Sequence, residues 1–262
     1  MGALGSQGKI MRNALTRMNF SHVNERHLAC QVKQLPQNIL TCLPGTDGSR
    51  RLELCEPLAK NMYEIILHPL KHHDHSPLPP QNHFDYTPIN QLTIAPKHQA
   101  TGSPLNLTLY HIRSQQFPNM HYYFLITPEQ TVAAHAHFNV LDQSECLACA
   151  YGTESVIVLN AIESRMQGDY SLGTILIQAI FEQSQILGCE GRICLYSARK
   201  SGRFYFKLGF MPLQQTIFDQ LFLENQQDID GDLMFLSPSA IDAWAERARQ
   251  RPLLGPRKKP GS

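Results

Sequence analysis

The run from Ser155 to Phe210 constrains the fold more than any other part of the chain. Val156–Ile162 (VIVLNAI) is apolar, rich in β-branched residues and short enough for a buried strand. A polar segment, ESRMQGDYSLG, follows, with Gly168 and Gly173 as its breakers. Leu172, Ile175, Leu176, Ala179 and Ile186 then recur as the one-sided stripe of an amphipathic helix. Arg192–Ser197 predicts a second strand, and Gly202–Leu208 a second helix closing at Gly209. Strand, glycine-bearing loop, helix and strand within about fifty-five residues make a βαβ unit. Its polar loop opens a helix, where unpaired N–H groups and the positive dipole end favour an anion such as a phosphate.

The same residues resemble the acetyl-CoA-binding core of the GCN5-related N-acetyltransferase (GNAT) family. Ala161-Ile162 matches the small-apolar end of the family's fourth strand, and Leu172-Gly173-Thr174 the last part of its phosphate loop. Phe204-Tyr205-Phe206-Lys207-Leu208-Gly209-Phe210 matches the aromatic-Tyr-x-x-x-Gly-Phe box residue for residue. Ser171 stands where the loop's first glycine is usual, Gly168 where Arg or Gln is usual, with Gln167 one place early, and Ala198 replaces the usual Asn.

The resemblance implies an α/β fold: a mixed, mainly antiparallel sheet flanked by helices and splayed at the fourth and fifth strands. It implies acetyl-CoA as co-substrate, no metal, and a primary amine acceptor, either a small molecule or a protein. The backbone of Asn160 and Ile162 would pair with the pantetheine arm. The segment Gln167, Gly168, Tyr170, Ser171, Leu172, Gly173 and Thr174 would cap the pyrophosphate. Tyr205 would bring its phenol to the departing thiolate; its alternative is a packed aromatic between Phe204 and Phe206. Glu154 shares a strand face with Val156, where some family members carry a glutamate base, and is the candidate base. Glu163 and ordered water are alternatives. Arg165, Arg199, Lys200 and Arg203 gather around the loop and helix, either to steer a polyanion or as a solvated face.

Composition narrows the remaining classes. The 262 residues suffice for a real core, and 42% hydrophobic with 17% charged residues describes a globular chain. A net charge of +1 gives no bulk pull toward nucleic acid. Seven irregularly spaced cysteines favour free thiols and a reducing, cytoplasmic setting. No apolar run is long enough to cross a bilayer, and the first residues lack the apolar core of a secretory signal. Gly2 with Ser6 loosely matches a myristoylation motif. Cys146 and Cys149 form a lone CxxC, read as two small core residues rather than a metal or redox pair.

Elsewhere the pattern varies in strength. Residues 1 to about 50 carry little of it, while Leu52–Leu67 has helical spacing with Pro57 at its start. The stretch from His68 to Pro88 is rich in Pro and His and reads as a long loop, in which His72, His73 and His75 lack converging partner ligands. Gln91–Pro96 and Leu105–Ile112 are β-like. His121–Thr127 and Thr131–Val140 form a hairpin that puts His135 and His137 on one face, either lining an acceptor pocket or only packing. Asp232–Ser237 predicts a last strand, followed by an amphipathic helix from Ser239 and a basic tail. The expected layout is an N-terminal extension (1–59), a GNAT-like domain (60–237, with its motifs inside 121–210) and a C-terminal helix and tail (238–262). An acyl-CoA-dependent N-acyltransferase working by direct attack in a ternary complex is the expected activity. A catalytically silent GNAT-fold binding or interaction module is the alternative, and a His-dependent metal hydrolase a third reading.

Overall fold

The computed structural model describes residues 22–44, 55–70, 80–97, 102–141, 155–166, 170–198, 201–212 and 233–255. These divide into two compact units, one drawn from Pro36–Asn139, Ala161–Ala179 and Arg251–Ser262, the other from Met1–Leu35, Val140–Asn160 and Ile180–Gln250. Strand β6 (Val156–Ser164) and helix α3 (Leu172–Ile186) each pass from one into the other. Together the described residues form a mixed α/β structure whose strand pairs are mostly antiparallel.

The first unit is a meander. Strands β1 (Ile39–Pro44), β2 (Phe84–Ile94), β3 (Leu105–Ser114), β4 (Met120–Ile126) and β5 (Val132–Leu141) pair antiparallel in chain order. One face is covered by α2 (Glu56–Leu70), which sets Leu58, Met62 and Ile66 against Phe84, Tyr110, Ile112, Tyr122, Phe124 and Ile126. That spacing of four residues is one helix stripe, and Pro57 sits at the start, where its missing N–H costs nothing. Strand β4 is buried on both faces, which explains its unbroken run of aromatic and aliphatic residues, YYFLI. The hairpin turn closes with Thr127 and Thr131 sharing a 2.8 Å hydroxyl contact. The chain from Arg251 on belongs here too: Gln178 donates to the Arg251 carbonyl at 2.7 Å, and Asn90 donates to that of Leu253.

The His/Pro-rich stretch is shorter as a loop than its composition suggests. Strand β2 begins at Phe84, because Phe84 is buried under α2 and pairing with β3 outweighs local propensity. Pro88 is tolerated because the β2–β3 register shifts between Pro88 and Asn90.

In the second unit, β6 pairs parallel with β7 (Ile193–Tyr196), β7 antiparallel with β9 (Leu233–Leu236), and β9 with β8 (Phe210–Pro212). Helix α1 (His22–Gln34) packs on α5 (Pro238–Gln250), and α4 (Gly202–Lys207) precedes β8. Trp244 is fully buried and donates to the Leu208 carbonyl at 2.9 Å; Arg247 donates to the carbonyl of Leu35, the residue after α1. Gly209 adopts φ +90°, and a Cβ there would collide with Ala240 and reach Val32 at 3.0 Å. Replacing Gly209 by Ala is therefore expected to cost about 2 kcal/mol, through left-handed backbone strain and overpacking, read as a lower thermal midpoint.

Helix α3 departs from a one-sided stripe. Ile175 through Ser184 are all buried, polar Gln178, Glu182 and Gln183 included, whereas Ile186 is 53% exposed. A buried run this continuous makes a helix enclosed on most sides rather than a surface one.

Candidate functional site

The meander unit holds a cavity of about 470 Å³ beside α2. Helix α2 contributes Asn61, Glu64 and Ile65, which lie together because residues three and four apart share a helix face. Strand β4 contributes Tyr122, and β5 His135 and His137. The end of β6 and the residue beyond it contribute Ala161, Glu163 and Arg165.

Strand register sets this grouping. Tyr122 lies opposite His137, with the rings stacked at 4.5 Å, and Phe124 opposite His135 at 5.6 Å. On the other side of β5, the Arg165 amide donates to the Ala133 carbonyl at 2.9 Å. Counting back along β6 from that bond puts Glu163 beside His135 and the small Ala161 beside His137. The 3.7 Å approach of Glu163 Oε2 to His135 Nε2 agrees, while Glu163 Oε1 meets Arg165 Nε at 3.4 Å.

Burial governs the charges. Desolvation lowers the His135 pKa; the nearby Glu163 carboxylate opposes this and Arg165 adds to it. Burial pushes His137 down to about 4, opposed by its side-chain interaction with Asn139. Both imidazoles are thus neutral at physiological pH and available as proton acceptors. Burial also raises the Tyr122 phenol, which stays protonated. His135 Nδ1 and Tyr122 Oη are buried without a hydrogen-bond partner among the described residues. Glu64 is exposed and makes no ion pair among those residues.

The opposite edge of β6 carries Asn160 and Ile162. The β6–β7 register covers Ile157, Val158 and Leu159 and stops there, although β6 continues to Ser164. With Arg165 bonded toward β5, alternation turns the backbone groups of Ile162 and Asn160 to the edge away from β5. Asn160 and Ala161 are exposed on this stretch.

Downstream, Ser171 begins α3: its carbonyl accepts from the Thr174 and Ile175 amides at 2.9 and 3.3 Å. The amides of Leu172 and Gly173 precede the first intrahelical bond, where helix N–H groups lack helical partners. Leu172 and Thr174 are buried, and Gly173 between them is half-buried. Ser171 has φ +53°, a conformation glycine takes without cost, which gives a physical reason for a glycine at this place. Tyr170 is anchored at both ends, its hydroxyl donating to the Ser103 carbonyl at 3.0 Å and its own carbonyl accepting from Asn38 at 2.6 Å.

Tyr205 lies on α4 in the second unit, 7% exposed, edge-on to Phe204 and Phe210 at 5.1 and 5.8 Å. Burial pushes its phenol up to about 12. Glu154, Gln167 and Gly168 lie outside the described residues, as do Arg199, Lys200, Cys146, Cys149, His72, His73 and His75. Among the described residues no group of three or more His, Cys, Asp or Glu converges on a metal position, and no helix is long and apolar enough to cross a membrane. Glu64, Asn61 and Tyr122 carry no sequence signal of a site; strand register and the docking of α2 bring them to the cavity.

No family model matches the chain, and no curated protein matches it in sequence. Among solved structures, a bacterial toxin is similar at a TM-score of 0.37 and 18% identity, over 48% of this chain and 72% of that one. A likeness that low bears on neither fold nor function.

Proposed function

We propose that this protein is a GNAT-type, acyl-CoA-dependent N-acyltransferase, moving acetyl from acetyl-CoA to a primary amine by direct attack. The observation that carries this reading is the length of β6 beyond its last β7 partner. From Ala161 to Ser164 it has no β7 partner in the register and keeps strand geometry, on which a pantetheine arm can lie as an added strand. The amides opening α3 at Leu172 and Gly173, with Gln167, Gly168, Tyr170, Ser171 and Thr174 around them, would take the pyrophosphate.

The cavity lines the same stretch of β6 and serves as the acceptor site. The amine nitrogen attacks the thioester carbonyl carbon, the C–S bond breaks, and the amine's proton passes to neutral His135 through a water, with Glu163 orienting the imidazole. Tyr205, protonated at neutral pH, donates a hydrogen bond to the leaving thiolate. Glu154 remains the other candidate base. Products are an amide and the coenzyme thiolate, which becomes the thiol by taking back through water the proton that His135 received.

A second reading, a GNAT-fold binding module without turnover, is favoured by Ser171 at positive φ in place of glycine. Thiol release from acetyl-CoA, followed over a panel of primary amines, separates the two. Amine-dependent release supports the enzyme. Coenzyme A binding with no release for any amine supports the module, and absence of binding overturns both.

A further inference from the structure

Ser171 takes a conformation that its own side chain disfavours, and two contacts from distant parts of the meander unit fix the residue before it. Its φ of +53° is left-handed, a state open to glycine and disfavoured on the order of tenfold for a residue with a Cβ. Such a conformation persists where the surroundings over-determine it.

Here the surroundings are specific. Rotation about the Ser171 N–Cα bond swings the Tyr170 carbonyl relative to α3. On one side of that bond, α3 is fixed by Leu172, Thr174, Ile175 and Leu176, all buried. On the other, the Asn38 side-chain amide donates to the Tyr170 carbonyl at 2.6 Å, and the Tyr170 hydroxyl donates to the Ser103 carbonyl at 3.0 Å. Asn38 is itself held: it is 5% exposed, and its carbonyl accepts from the amide of Ala95, just past β2, at 2.6 Å. With both sides pinned, the torsion between them has little freedom. Helical Leu172 follows directly, and a left-handed residue beside a right-handed one turns successive N–H groups to one side, as in anion-binding concavities. A residue 132 positions away in the chain therefore sets the angle at which the first amides of α3 are presented.

We propose that Asn38 and Tyr170 are positioning residues of the coenzyme site, which hold Ser171 in the conformation that a glycine there would reach unaided. This rests on the coenzyme-binding reading above. The loss of the glycine is then compensated from outside the βαβ unit, by the segments that lead into β1 and β3.

The test is a mutant cycle on coenzyme A affinity, read by calorimetry on the full chain, each variant compared within its own background. Asn38→Ala combined with Tyr170→Phe is expected to weaken binding about tenfold, because only the left-handed fraction of the loop stays competent. In a Ser171→Gly background the same pair of substitutions is expected to weaken it about twofold or less, since glycine populates positive φ about as readily as negative. A merely structural role for the two residues would weaken binding equally in both backgrounds. Where Asn38→Ala prevents folding, Tyr170→Phe alone decides: its lost bond is exposed, and about a threefold loss is expected, again cancelled by Ser171→Gly.

The two levels of failure are distinct. No coenzyme A binding by the wild type removes the coenzyme reading and this proposal with it. Wild-type binding that the Asn38 and Tyr170 substitutions leave unchanged, or weaken equally with and without Ser171→Gly, removes the proposal alone.

Discussion

Lowering the pH from 7 to 5 is expected to drop the melting temperature by roughly 10 °C, because the meander unit buries neutral histidines. His121 is held near 4 by burial and by Arg113, and it stacks between His111 and Phe138. His137 is held near 4 by burial, with His135 adding to the shift and Asn139 opposing it. Above the unfolded value of 6.5 both states carry neutral imidazoles, and stability is independent of pH from this source. Between 6.5 and about 4 the unfolded chain binds protons that the folded chain refuses, so stability falls as pH falls.

At pH 5 each of these two histidines accounts for about 2 kcal/mol, about 4 together. His111, lowered to about 3 by burial, His121 and Arg113, acts in the same direction. A His121→Gln/His137→Gln double variant is expected to flatten the dependence of the midpoint on pH. A wild-type midpoint equal at pH 7 and pH 5 would contradict the buried neutral assignment.

Tyr205→Phe is expected to lower kcat for acetyl transfer by about 10²-fold, while acetyl-CoA affinity stays within about twofold. The ring is fixed by its edge contacts with Phe204 and Phe210, which phenylalanine keeps. No described residue bonds the hydroxyl, so its loss leaves the fold intact. An interaction made only with the departing thiolate lowers kcat and kcat/KM together. A variant as fast as the wild type would return Tyr205 to a packing role.

What could be read from the sequence follows the range of the interactions. The β4–β5 hairpin was legible because its alternation and turn are local, and so was the shared face of His135 and His137. The pairing of Tyr122 with His137, and of Glu163 with His135, depends on register between strands whose spacing no local pattern reveals. Helix α1 was missed because, among its described side chains, only a thin stripe, Leu28 and Val32, is buried, and its stability comes from packing on α5. The end of β6–β7 pairing at Leu159 has no mark in the sequence. In the sequence, VIVLNAI reads as one uninterrupted strand, and where a parallel neighbour stops is a property of that neighbour.

The most direct test of the central claim is calorimetric titration of coenzyme A into the wild type and an Ile162→Pro variant. Proline removes one N–H from the β6 edge that faces away from Ala133 and spares the ladder on the β5 side. The expected result is wild-type binding with Kd of roughly 1–100 µM, weakened at least about tenfold in a variant whose circular dichroism is unchanged. No binding heat at about 1 mM coenzyme A, or equal affinity in the folded variant, would contradict a coenzyme seated along β6.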